Sequence, residues 1–68
     1  MYKKEDITLY IKWAIDQSEF SQKEIAKMLG VSATTVNRWY HGTRIPDAIN
    51  FMNLAVVLGT IPPRKHTA

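Results

Sequence analysis

Two signals that start helices stand on either side of a glycine in the middle of this chain. Ser21 and Glu24 form a capping box: the serine hydroxyl can accept a hydrogen bond from the residue 24 amide, and the Glu24 carboxylate can accept one from the Ser21 amide. Gly30 follows where a left-handed residue can end that helix without a Cβ clash, and the Ser32 hydroxyl can cap a second helix. The sequence therefore predicts two short helices joined by a tight turn.

The side chains of these two helices predict how they pack. Helices that cross at about 90–120° over a short turn approach closely, so the small Ala26 suits the crossing point. Val36 and Trp39 lie three residues apart and should point inward. The residues expected to point outward from the second helix are Ala33, Thr34, Asn37 and Arg38. This pattern is typical of a helix-turn-helix, whose second helix can enter the major groove of DNA.

Apolar periodicity and capping residues extend the prediction to the rest of the chain. The expected helices are 6–17, 22–29, 33–40 and 48–58. Residues 41–46 should form a loop, after which Asp47 caps the last helix and Gly59 follows it. We therefore expect a single all-α domain over residues 1–68, a compact bundle of four to five helices.

Both ends of the chain are expected to lie outside the helices. Met1 to Lys4 should fray, because no tertiary contact is predicted for them. Pro62 and Pro63 oppose further helix, so residues 60–68 are expected to form a basic, flexible tail.

The composition argues against several classes of function. Nine Lys and Arg against six Asp and Glu give the 68 residues a net charge of +3, which suits a polyanionic partner. There is no cysteine, and the two histidines have no supporting cluster, so we expect neither disulfides nor a metal site. Without a paired nucleophile and base or a glycine-rich phosphate loop, we expect no catalysis, no cofactor and no small-molecule substrate. No apolar run approaches about 18 residues and no signal peptide is evident, so we expect a cytoplasmic protein that does not enter a membrane.

From Phe20 to Gly59 the chain resembles the lambda-repressor-like, or Cro/CI/Xre, family of DNA-binding domains. The residues that carry the resemblance are Ser21, Gln22, Glu24, Ile25, Ala26, Leu29, Gly30, Val31, Ser32, Val36, Trp39, Gly42, Pro46, Leu54, Ala55, Leu58 and Gly59. The resemblance implies a small phage or bacterial regulator of transcription whose partner is double-stranded DNA. Such a protein would act in the cytoplasm of a bacterial host cell.

The resemblance also implies which residues contact DNA. The residues expected to face the bases are Ala33, Thr34, Asn37 and Arg38, and those expected to approach phosphates are Gln22, Ser32, Thr35, His41 and Arg44. Many relatives have a long polar side chain where Ala33 and Thr34 are short. Arg38 should therefore be the main base reader, donating to guanine O6 and N7 with about 1–3 kcal/mol of discrimination.

Two departures from the family pattern bear on the packing and association of the domain. Tyr40 and Ile15 stand where many relatives have an ion pair between the first and third helices. Because replacing a buried ion pair by apolar packing is often neutral or stabilising, we expect the fold to survive. Relatives commonly continue into a fifth helix that assists dimerisation, whereas Ile61-Pro62-Pro63 leaves little room for one.

Surplus apolar residues indicate an alternative function. The last helix needs only one apolar stripe for the core, which Phe51, Leu54, Ala55 and Leu58 supply. The remaining large apolar residues are Ile49, Met52 and Val56 in this helix, and Leu9 and Trp13 in the first.

These surplus residues can pack within the chain or dock a partner, either another repressor or a second copy in a weak homodimer. The alternative is therefore a protein-binding modulator such as an antirepressor. The short base-reading residues and modest charge favour this alternative, whereas the helix-turn-helix itself favours DNA.

Overall fold

Four helices make up the part of the chain that the computed structural model describes, residues 1–59. They are α1 (Lys4–Gln17), α2 (Gln22–Leu29), α3 (Ala33–His41) and α4 (Ala48–Val57). No strand occurs within residues 1–59, and the predicted all-α fold class is confirmed. The expected tail, residues 60–68, lies outside the described residues.

α1 begins at Lys4, earlier than the predicted residue 6. The Asp6 carboxylate Oδ2 accepts a hydrogen bond from the Lys3 amide at 2.8 Å, so Asp6 lies inside the first turn and caps it from there. The prediction that Lys4 frays is therefore wrong. A carboxylate in the first turn also interacts favourably with the positive end of the helix dipole.

The start of α2 and the turn between α2 and α3 both have the predicted geometry. The Ser21 hydroxyl accepts from the Glu24 amide at 3.1 Å, and Glu24 Oε1 accepts from the Ser21 amide at 2.8 Å. Gly30 has a φ of +75°, and the following amide, that of Val31, donates to the Ala26 carbonyl at 3.0 Å. These bonds satisfy the last carbonyls of α2 and turn the chain sharply into α3.

The ends of α3 and α4 each differ by one residue from the prediction. α3 includes His41, because Gly42 rather than His41 adopts the left-handed conformation that ends the helix, with a φ of +80°. His41 is thus the last residue of a helix and not part of a loop. α4 begins as predicted, with Asp47 Oδ1 accepting from the amide three residues later at 2.8 Å. It ends one residue early, with Leu58 as its C-terminal cap.

The hydrophobic core receives side chains from every helix. The large side chains that are fully buried, one from each helix, are Ile11, Ile25, Val36 and Leu54. α3 packs mainly on α2 and α1, and α4 packs on α2. Trp39 and Ala26 are each only 3% exposed, as the close crossing of two helices requires. Burial of Val36 and Trp39 directs the opposite side of α3 toward solvent.

A polar contact ties α1 to α3 next to the positions where many relatives have an ion pair. The Tyr40 hydroxyl donates to Asp16 Oδ1 at 2.6 Å, and the Lys12 ammonium lies 5.3 Å from the centre of the Tyr40 ring. The hydrogen bond to Asp16, then desolvation and the negative charge of Asp16, raise the pKa of the Tyr40 phenol above its ordinary value of 10.0. Ile15 is buried in the core and Tyr40 packs against it. Beside this packing, the neutral Tyr40 phenol and the carboxylate of the residue after Ile15 add a polar link that was not predicted from the sequence.

Candidate nucleic-acid interface

The exposed side of α3 brings the predicted base-reading residues together. Residues three and four positions apart lie on the same side of a helix: Ala33 and Asn37 are four apart, as are Thr34 and Arg38, and Thr34 and Asn37 are three apart. All four are exposed: Ala33, Thr34, Asn37 and Arg38. We call these four residues the reading face. Since Val36 and Trp39 are buried on the other side, the core holds the reading face in a fixed orientation.

The first turn of α3 is held by two hydroxyl groups that were predicted to contact phosphate. The Ser32 hydroxyl accepts from the Thr35 amide at 3.1 Å, and the Ser32 and Thr35 hydroxyl oxygens lie 2.9 Å apart. Ser32 is exposed and Thr35 is half-buried. Both hydroxyls thus stabilise the start of α3 in the free protein, and their contact with phosphate stays a prediction.

A hydrogen bond joins the start of α2 to the middle of the reading face. Asn37 Nδ2 donates to Gln22 Oε1 at 3.1 Å, across 15 residues of sequence. Gln22 is half-buried and Asn37 is exposed. Sequence reasoning assigned Gln22 to phosphate and Asn37 to bases but did not predict that they pair. The sequence shows only that the two residues belong to the two helices of the motif. Whether their side chains meet depends on the angle at which those helices cross.

The loop after α3 folds back onto the C-terminal end of that helix. The amides of Thr43 and Arg44 both approach the Arg38 carbonyl, at 3.0 and 3.4 Å. Thr35, Arg38 and Arg44 consequently line one shallow groove of about 280 Å³. His41 is exposed beside this loop, with its ring packed edge-on against Tyr40 at 5.2 Å between ring centres. The structure therefore places one predicted base reader in the same groove as two predicted phosphate contacts.

The charges near these residues are mostly positive. α3 contains no acidic residue, and Arg38 and Arg44 are exposed. Two carboxylates lie nearby, and both are engaged at helix starts: Glu24 accepts from the Ser21 amide, and Asp47, at the edge of the groove, caps α4. Both carboxylates are exposed, but each is fixed at a helix start by a backbone amide, and the exposed side of α3 itself carries only neutral and basic side chains.

The surplus apolar residues lie elsewhere and are exposed. Their exposed fractions are 64% for Leu9, 52% for Trp13, 74% for Ile49, 51% for Met52 and 42% for Val56. Trp13 is partly covered by Tyr10, whose ring also contacts Phe51 on α4. α4 contains no charged residue. A role for these residues in binding a partner stays a prediction.

Residues 1–59 lack the features of a metal site and of a membrane-spanning helix. This part of the chain has no group of three or more His, Cys, Asp or Glu that could hold a metal ion. None of its helices combines the length and the apolar content needed to cross a bilayer.

Comparison with known proteins identifies the domain. Neither a curated protein nor a solved structure gives a match to the chain. The family model described as "Helix-turn-helix" matches residues 11–65, which covers all of α2, α3 and α4 and the second half of α1. This family comprises DNA-binding regulators and is not a family of enzymes. The predicted resemblance is therefore confirmed: the chain belongs to the helix-turn-helix family of Cro/CI-type, lambda-repressor-like domains.

Proposed function

We propose that the protein is a sequence-specific transcriptional regulator, a Cro- or repressor-like component of a phage or bacterial genetic switch. The observation that carries the proposal is the reading face: four exposed small, polar or basic side chains on a helix that the core holds by Val36 and Trp39. The major groove of B-form DNA is about 12 Å wide and accepts one α-helix. α3 would lie in that groove, with α2 against the sugar-phosphate backbone.

Arg38 is the main source of base discrimination in this proposal. Its guanidinium can donate two parallel hydrogen bonds to guanine O6 and N7. Ala33 and the Thr34 methyl group can contact a thymine methyl group, which adds a weaker preference. The operator would therefore contain a guanine under the middle of α3 and a thymine nearer its start.

Phosphate contacts would supply most of the affinity. Gln22, Ser32 and Thr35 lie at the starts of α2 and α3, where amide groups and helix dipoles favour an anion. His41 and Arg44 lie at the other end of α3. Gln22 and Ser32 would bind the backbone at the starts of the two motif helices, and Thr35 and Arg44, which line one groove with Arg38, would bind it beside that base reader. Because such binding displaces counterions, affinity should fall as salt concentration rises.

The regulatory mechanism would be occlusion. A protein of this size that covers a promoter needs no chemistry, since its bound helix and backbone contacts deny polymerase the same DNA. This takes place in the cytoplasm of a bacterial cell, with double-stranded DNA as the partner.

Selection from a random double-stranded library, with the salt concentration varied from about 50 to 200 mM, tests the proposal. We expect enrichment of one sequence family and a steep loss of affinity with salt. Arg38→Ala should abolish the preference for guanine. Arg38→Lys is the matched control, because it keeps the charge but replaces the rigid planar guanidinium by an ammonium: it should keep the salt dependence and weaken the guanine preference. Weak retention without any preferred sequence would contradict the proposal.

A second candidate function is supported by the exposed apolar residues of α4. Ile49, Met52 and Val56 are all substantially exposed on a helix without charges, which suits docking of a protein partner. In this alternative the domain is an antirepressor that binds another repressor, or it associates with a second copy. Val56→Asp should break such a complex. Asn53→Asp is the matched control, since it adds the same charge at an exposed polar position of the same helix. Sedimentation of the purified protein, alone and mixed with a candidate repressor, distinguishes the two variants.

A further inference from the structure

A row of exposed residues runs along the outer side of α1, away from the core. The buried residues of this helix, Ile11, Ala14 and Ile15, all lie on its inner side. After an adjacent pair at its start, each member of the outer row is three or four positions from the next, so the row lies on one side of the helix. Its exposed members, which we call the acidic stripe, are Glu5, Asp6, Leu9, Trp13 and Asp16. The stripe thus places two large apolar side chains among three carboxylates.

The acidic stripe is locally negative although the net charge of the chain is +3. α1 contains three carboxylates, all of them in the stripe, and two lysines. The Lys12 ammonium lies 5.3 Å from the centre of the Tyr40 ring on α3, and Lys4 borders the stripe beside His41. Within the described residues, none of the three carboxylates forms an ion pair. A ligand that approaches this side of α1 therefore meets carboxylates that lack a cationic partner.

A groove between α1 and α4 adjoins the acidic stripe. It has a volume of about 400 Å³ and is lined by Tyr2, Asp6, Ile7, Tyr10 and Phe51. The Tyr10 ring contacts the Phe51 ring, at 5.6 Å between ring centres, and the Trp13 ring, at 6.4 Å. Aromatic surface therefore continues from the groove into the stripe. Among the described residues that line the groove, Asp6 alone is charged. The groove can hold an apolar side chain of a ligand whose cationic group meets Asp6.

We propose that this side of α1 binds a basic amphipathic helix of another protein. Apolar residues flanked by carboxylates are complementary to a helix whose apolar residues are flanked by lysine or arginine. Tryptophan is among the residues that contribute most to affinity at protein interfaces, and Trp13 lies at the centre of the apolar surface. Residues 5 and 16 are separated by about 17 Å along the helix axis, so a partner helix of about three turns covers the stripe.

The proposal goes beyond the regulatory function proposed above and does not depend on it. Carboxylates repel a polyanion, so DNA is not the ligand of the acidic stripe. The stripe lies on α1 and the reading face on α3, and different chemistry recognises each of them. The second candidate function places its partner on α4, so substitutions in the two helices distinguish these surfaces.

Two synthetic peptides test the charge of the partner. Both are amphipathic helices of about four turns with leucine at i, i+3, i+4 and i+7, and the other positions are lysine in one peptide and glutamate in the other. Calorimetry on the full chain measures binding, and amide chemical shifts of the isotope-labelled protein locate it. The net charge of +3 favours the glutamate peptide, whereas the stripe favours the lysine peptide. We expect only the lysine peptide to shift the amide signals of the acidic stripe, with an affinity that falls as salt rises.

Substitution of apolar residues tests which surface the lysine peptide contacts. Trp13→Ser should weaken its binding by roughly 10-fold or more. Met28→Ser is the matched control, because it removes a side chain of similar exposure, 46% against 52%, from α2. Leu9→Ser, at a more exposed position, should also weaken binding and guards against a loss of folding in the tryptophan variant. Thermal unfolding shows which variants are folded.

Substitution of charged residues tests the electrostatic part of the proposal. Glu5→Gln/Asp16→Asn removes two negative charges but keeps an oxygen that can accept from the Tyr40 hydroxyl. It should weaken binding of the lysine peptide by about 3- to 20-fold and reduce the salt dependence. Thr34→Lys/Asn53→Lys is the matched control, since it changes the net charge by the same two units at exposed positions on other helices. Its effect should be much smaller.

Four results would overturn the proposal. The first is shift changes that lie outside the acidic stripe, and the second is binding at the stripe that Trp13→Ser and Leu9→Ser leave unchanged. Self-association of the chain in sedimentation that Trp13→Ser abolishes would assign the stripe to a second copy. A gain of peptide affinity in Arg64→Ala/Lys65→Ala would assign it to the chain's own basic residues. None of these results affects selection of a DNA sequence, which tests the proposed function separately.

Discussion

Replacement of Gly42 by alanine tests how closely α1 approaches the end of α3. Gly42 has a φ of +80°, and a Cβ added there would lie 3.0 Å from Thr8 Cγ2 and 3.1 Å from Thr8 Oγ1. Gly30 is the matched comparison, because its φ is +75° and an added Cβ would have no neighbouring atom within 4 Å. The two glycines therefore share a backbone conformation and differ in the space around them.

The expected magnitudes follow from that difference. Gly30→Ala should cost about 1–2 kcal/mol of unfolding free energy, the cost of a left-handed alanine. Gly42→Ala bears the same backbone cost, and overpacking against Thr8 adds about 1–3 kcal/mol. The total of about 2–5 kcal/mol is a large share of the roughly 3–10 kcal/mol available to a chain of this size. Each lost kcal/mol should lower the Tm by about 4–8 °C.

Urea unfolding followed by circular dichroism measures these losses. The double variant Thr8→Ala/Gly42→Ala keeps the backbone cost and removes the side chain that clashes, so it should recover most of the difference between Gly42→Ala and Gly30→Ala. Thr8→Ala alone completes the double-mutant cycle. Equal losses in the two glycine variants, or no recovery on removal of the Thr8 side chain, would refute the reasoning.

Two further predictions concern Tyr40 and the tryptophans. Because the hydrogen bond to Asp16 raises the folded-state pKa of Tyr40, its stabilising effect is complete below the unfolded pKa of about 10 and is lost as pH rises through the folded value. Tyr40→Phe should therefore have a lower unfolding free energy than the wild type at neutral pH. Urea unfolding at a series of pH values should show the difference between the two proteins shrinking in alkali. A difference that stays constant at high pH would contradict the role given to the hydrogen bond with Asp16. Trp39→Ala should cost about 3–5 kcal/mol, a large share of the available stability, because Trp39 is 3% exposed. Trp13→Ala, at a residue 52% exposed, should cost about half as much or less, and equal losses in thermal unfolding would show that Trp13 belongs to the core.

The α2–turn–α3 unit could be predicted well because its determinants are local. The capping box of Ser21 and Glu24 joins residues three apart, and the Gly30 turn depends on the conformation of a single residue. Such interactions form within one turn of helix, so residue type and spacing suffice to infer them. The same locality explains the errors at helix ends. At α1 the carboxylate of Asp6 can act either as the cap itself or from within the first turn, and the structure uses the second arrangement.

The sequence by itself determined the four helices, their inward sides and the family to which the domain belongs. Only the tertiary structure decided which polar side chains meet between helices. Tyr40 and Asp16 are 24 residues apart, and Asn37 and Gln22 are 15 apart. Helical periodicity sets the direction of a side chain around its own axis, whereas a contact between helices depends on their crossing angle and separation. Those quantities follow from the packing of the whole core, which places Asn37 beside Gln22.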